Sequence, residues 1–191
     1  MSASIYETML AFSRTLTDEH IDERQEAVTV TVGKNQKSIM NYNVHVRGEL
    51  DGRALVVSYH DYYFVNMRSS EHLRDILEVF VAADHLCFEG ECRQRDVLDW
   101  VARWFGGGGI RGSHSLFHSR RVDQAEPGPL SDFERPEFAA RLEALSGRPD
   151  CIKVQLQART GINAVFRGHN LRGGLPRVQA QVLECVALAA S

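Results

Sequence analysis

The chain has 191 residues, 43% of them apolar and 25% charged, with a formal net charge of −3. That length can bury a full domain core, and that balance excludes a chain whose dominant state is disordered. No apolar run approaches the roughly 20 residues of a bilayer crossing, and the first residues lack a signal peptide's basic start and apolar core, so a cytoplasmic protein is expected.

SIYETMLAFSRTL reads as a helix. Ser4 and Glu7 have capping-box spacing, and Ile5, Met9, Phe12 and Leu16 return every three or four residues. TDEHIDERQE reads as an acidic connector. Three strands follow. Val28, Val30 and Val32 alternate with threonines; Met40, Tyr42, Val44 and Val46 alternate with Asn41, Asn43, His45 and Arg47. Asp51-Gly52 is a hairpin turn that leads back into RALVVSYH, and YYFVNM is a further short strand.

SSEHLRDILEVFVAADHL is predicted to be a helix with Leu73, Ile76, Leu77, Phe80 and Val81 as its buried stripe. RDVLDWVARWF is predicted to be a shorter one, with Val97, Trp100, Val101 and Trp104 on one face and Gly106 as its stop. DQAEPGPLSD is a loop. PEFAARLEAL is a helix entered at Pro136 and stopped near Gly147. CIKVQLQA and INAVF form a second hairpin around Thr160-Gly161, with Ile152, Val154, Leu156, Ile162, Ala164 and Phe166 turned inward. LPRVQAQVLECVALAA closes the chain as a helix entered at Pro176. The order predicts one α+β domain over residues 1–191, an antiparallel sheet of two or more hairpins covered by several helices. A flexible internal connection is expected at 106–112.

Charge divides along the chain. Residues 1–102 carry ten Lys and Arg against seventeen Asp and Glu, and residues 103–191 carry twelve against eight. Arginine dominates the second half, which suits carboxylate or phosphate partners or pairing within the domain. GGGGIRG follows a helical pattern and lacks the Gly-Lys-Ser/Thr ending of a phosphate loop, so it reads as a linker or lid. His114 and His118, with Arg111, Arg120 and Arg121, form one set of candidate anion or partner contacts. Arg167, His169, Arg172 and Arg177 form another, because Gly173 and Gly174 allow close approach where the last helix exposes its N–H groups. Arg172 and Arg177 are expected to point into water.

Asp84, His85, Cys87 and Cys92 lack the paired spacing of a structural zinc site, and Cys87 reads as a small buried side chain. No metal and no cofactor is expected. In YHDYYFVNMR, His60 and Asp61 point to opposite sides of a strand. That geometry and the missing GxSxG weaken Ser58 as a nucleophile. Tyr59, Tyr62 and Tyr63 are candidate interface residues. The composite expectation is a noncatalytic protein-interaction or regulatory protein of chaperone, inhibitor or adaptor type. Its partner is another protein, with an acidic one suited to the arginines, and no membrane is involved. The alternative is binding of a small anion, a phosphorylated ligand or nucleic acid, with histidine and arginine available for enzyme chemistry.

Overall fold

The structure, a computed structural model, describes residues 4–32, 35–66, 69–87, 89–94, 120–124, 135–168, 171 and 173–191. Of these, residues 28–32, 35–37, 65–66, 69–71, 94 and 120–124 are described as backbone alone. The elements are helices α1 (Ile5–Ser13), α2 (Pro136–Gly147) and α3 (Gly174–Ala189), with strands β1 (Thr17–Val32), β2 (Asn35–Leu50), β3 (Arg53–Asn66), β4 (Ser69–Ala82), β5 (Gly90–Gln94), β6 (Arg120–Gln124), β7 (Cys151–Gln157) and β8 (Gly161–Arg167). The fold is α+β with an antiparallel sheet. None of the described helices is long and apolar enough to cross a membrane. The chain gathers into two compact units, the first Met1–Glu78 with Arg167–Ala180, the second Val79–Phe166 with Gln181–Ser191.

In the first unit the strands run in the order β1-β2-β3-β4. The Ser4 side chain accepts from the Glu7 N–H at 3.1 Å while the Ser4 N–H donates to Glu7 Oε2 at 2.8 Å, closing the capping box that starts α1. Asp51 (φ 53°) and Gly52 (φ 72°) both take the left-handed conformation that a two-residue hairpin needs, which brings Leu50 opposite Arg53. Alternation then sends Val44 and Val46 of β2 and Leu55, Val57 and Tyr59 of β3 into a core completed by Met9, Phe12, Leu77 and Val178.

Two expectations for this unit are overturned. TDEHIDERQE is the first part of β1, paired with β2 from Thr17 onward after an irregularity at Asp18. Ladder bonds come from the main chain, so an edge strand needs no apolar period. SSEHLRDILEVFVA is β4, not a helix. Its inward row is Asp75, Leu77, Val79 and Val81, whereas Leu73, assigned to the helical stripe, is 39% exposed. An aspartate in the inward row broke the period-2 signal and left the apolar residues readable at helical spacing. YYFVN, expected to open a separate strand, continues β3 to Asn66, and Met67 lies outside the described residues.

In the second unit the order is β4-β8-β7-β5-β6. β7 and β8 form the expected hairpin, pairing from Leu156↔Ile162 to Cys151↔Phe166. Val154, Leu156, Ile162, Ala164 and Phe166 are buried as expected, but Ile152 is 39% exposed. A register shift between Cys151 and Lys153 inserts one residue and turns Ile152 outward. Pro136 opens α2, whose Phe138, Leu142 and Leu145 join this core. Arg148 bridges Asp150 at 3.0 Å and Glu184 at 2.7 Å, and Arg141 meets Glu137 at 2.8 Å. These arginines therefore find carboxylates within their own unit. Cys92, Cys151 and Cys185 are buried thiols, whereas Cys87, expected inside, is exposed. The helix predicted at 95–105 and the glycine run lie outside the described residues.

Candidate functional site

β2 and β3 carry most of the first unit's clustered polar side chains. Asn41 lies opposite Tyr62, Asn43 opposite His60 and His45 opposite Ser58, so all six share one face of the hairpin. His60 Nδ1 is 2.6 Å from Asn43 Oδ1, and His45 Nδ1 is 2.9 Å from Ser58 Oγ. A carbonyl oxygen only accepts, so His60 donates from Nδ1 and keeps its lone pair on Nε2. The two imidazoles meet edge to face with centroids 5.4 Å apart, and Tyr62 lies nearly parallel to His60 at 6.3 Å. Burial holds the His60 pKa below its ordinary value; His45 adds to that, and Glu78 opposes it.

Beside Tyr62 this face opens into a groove of about 540 Å³ lined by Ile39, Asn41, Tyr62, Leu73 and Arg74. The Arg74 guanidinium carbon stands 5.2 Å from the Tyr62 ring centroid, in cation–π range. Asn41 Oδ1 is buried with no hydrogen-bond partner among the described residues. It is an acceptor that a donor group entering the groove would satisfy.

The opposite face of the same strands holds a buried acidic cluster. Tyr63 Oη donates to Asp61 Oδ2 at 2.5 Å, and Tyr59 Oη donates to Asp75 Oδ2 at 2.9 Å. His72 Nε2 is 3.0 Å from Asp61 Oδ1 and 4.0 Å from Asp75 Oδ1. Gly168 N–H donates to the Asp75 carbonyl at 3.0 Å. A Cβ at Gly168 would stand 2.6 Å from Asp75 Oδ2 and 2.9 Å from Tyr59 Cε2, so a side chain there would displace the Tyr59–Asp75 pair. Burial pushes the Asp61 carboxyl up, against the pull of the Tyr63 hydrogen bond and the His72 charge. Burial, then Asp61, pushes the Tyr63 hydroxyl up to about 12. The Tyr59 hydroxyl is pushed well above the usual phenol range by burial and by both aspartates.

The expected interface tyrosines separate. Tyr59 is fully buried and belongs to the core, which corrects its assignment to an interface. Tyr62 and Tyr63 are half-buried on opposite faces. His60 and Asp61 do point apart, as the strand geometry required. Ser58 pairs with His45 instead of His60, in the middle of a sheet where the ladder takes the main-chain N–H groups.

Among the basic candidates, Arg167 is exposed. Arg177 does not point freely into water: its guanidinium donates to the carbonyl oxygens of Arg167 at 2.7 Å and Gly168 at 3.1 Å. It ties down the chain that abuts Asp75. In β6 the backbone places Arg120 opposite Gln94 and Arg121 opposite Arg93, with Lys153 across the next strand from Arg93. The neighbouring row holds Asp123, Glu91 and Gln155, and Lys153 Nζ is 3.6 Å from Glu91 Oε2. Arg111, His114, His118, His169 and Arg172 lie outside the described residues.

Sequence reasoning missed Asn43, His45, His72, Arg74 and Asp75 as site residues. Among the described residues no group of three or more His, Cys, Asp and Glu side chains is placed to hold a metal ion. No protein-family model, curated protein or solved structure matches this chain.

Proposed function

We propose that the protein is a noncatalytic interaction protein whose first unit seats a side chain of a partner protein in the groove beside Tyr62. The carrying observation is the Tyr62–Arg74 pair at an apolar groove. Tyrosine and arginine supply a large share of binding energy at protein interfaces, and apolar pockets of this size take one or two large side chains. The unpartnered Asn41 Oδ1 adds a polar anchor for a backbone or indole N–H. Four cysteines outside any disulfide fit the reducing cytoplasm, which this reading includes as the protein's location. Of the basic candidates, Arg177 is engaged with main-chain carbonyls, which removes it from the anion or nucleic-acid reading.

The test is selection of binding peptides from a random displayed library, followed by titration of the selected peptides with purified protein. Tyr62→Ala and Arg74→Ala are each expected to weaken binding by roughly 5- to 30-fold, the usual effect of truncating an interface anchor. Resonances of Ile39, Leu73 and Tyr62 should shift on titration. Peptides that bind both folded variants as tightly as the native chain, or shift only residues elsewhere, would overturn the reading.

A further inference from the structure

We propose that the His45–His60 pair is an acid-sensitive latch that fastens the β2–β3 face, and with it the Tyr62 wall of the groove, and that loosens once both rings carry a charge. Its effect on partner binding rests on the groove reading above; the structural response does not.

Asn43 and Ser58 fasten one nitrogen of each ring to the opposite strand, so each imidazole ties β2 to β3 beyond the ladder itself. The ring centroids are 5.4 Å apart. Two imidazolium ions at that separation repel strongly in a partly buried site, whereas two neutral rings attract edge to face. His60 also lies against Tyr62, whose other neighbour is the Arg74 cation. A charged His60 therefore meets one cation in His45 and a second across Tyr62.

The surrounding groups leave limited compensation. From β4, Glu78 favours the charged ring. Across from His45 on β1 is Asp22, which already bridges Arg24 at 2.7 Å, and Arg24 itself lies opposite Asn43. Asn43, Ser58 and Tyr62 carry no charge that would offset a second proton. Burial works in the same direction by disfavouring the charged form of His60. The sign follows from linkage. A folded-state pKa below the unfolded one gives stability that is present above the ordinary histidine value of about 6.5 and is lost as pH falls through the folded value. Histidine is the side chain whose ordinary charge change lies nearest neutral pH, so mild acid is the condition that challenges the pair.

The test is segment-resolved amide exchange at pH 7.5 and 5.0, corrected for intrinsic exchange. In the native protein, segments 38–46 and 57–63 should lose protection by about tenfold or more at pH 5.0 relative to the β7–β8 hairpin. His45→Gln removes the second charge but leaves Asn43–His60 intact, so it should suppress most of that loss even if His60→Gln folds poorly. Uniform loss across both hairpins would overturn the latch. So would an undiminished local loss in His45→Gln. A local loss without any change in peptide affinity between the two pH values would leave the latch standing and separate it from the groove.

Discussion

Asp61 shows how one buried group sets its own pH dependence. It is 1% exposed, with the Tyr63 hydroxyl and the His72 imidazole as its polar neighbours. Burial still outweighs both, so its folded pKa lies above the ordinary carboxyl value. A raised folded pKa gives stability that is complete below the unfolded value of about 4 and is lost as pH rises through the folded one. Asn at this position keeps the acceptor for Tyr63 and cannot ionise. The stability difference between Asp61→Asn and the native chain should therefore move in favour of the variant from pH 4 to pH 8, read as urea midpoints. A difference that moves the other way would mean the ionised carboxylate is the favoured form. His60, the preceding residue on the opposite face, has the reverse dependence. Adjacent residues of one strand thus oppose each other in pH response because the pleat gives them different surroundings.

At the scale of elements, β4 offers the sharpest discrimination between two structures of one segment. A helix would bury Leu73 in its stripe and leave Val79 off it, whereas the strand leaves Leu73 39% exposed and buries Val79 completely. Val79→Ala should cost about 2 kcal/mol, from two methyl groups plus the space they leave. Leu73→Ala should cost under about 1 kcal/mol, since little of its burial is lost. Denaturant unfolding of the two variants checks this, and the reverse ranking would restore the helix. The β2–β3 hairpin stands at the other extreme of legibility. Opposing residue numbers along it sum to 103, the value the two-residue Asp51-Gly52 turn imposes. Asn43–His60 and His45–Ser58 were therefore readable from the turn and the alternation together. By alternation alone, Asn43 and His45 are only the wet side of a strand. β4 offered no such anchor, so His72, Arg74 and Asp75 could not be aligned with β3 in advance.

Across the molecule, thiol access separates one cysteine from three. Cys87 is exposed, while Cys92, Cys151 and Cys185 are buried, and burial also pushes the Cys185 thiol up. A brief pulse of iodoacetamide on the folded protein, followed by mass spectrometry, should modify Cys87 alone. The other three should react only in denaturant, because access is suppressed inside and, at Cys185, thiolate formation as well. Prompt labelling of Cys151 or Cys185 would contradict the packing of the second unit. The sequence by itself determined the capped first helix, both hairpins at their glycine-marked turns, the two proline-entered helices and the α+β class. Those features are set by local rules: side-chain caps, left-handed turn residues and apolar periods that neighbours in sequence satisfy among themselves. Tertiary structure decided that TDEHIDERQE and SSEHLRDILEVFVA are strands, since a ladder partner far along the chain supplies what their own pattern does not. It also decided that Tyr59 belongs to the core, that Ile152 faces outward and that Arg177 binds main-chain carbonyls. Burial and partner are properties of the packed chain, and no spacing of residues encodes them alone.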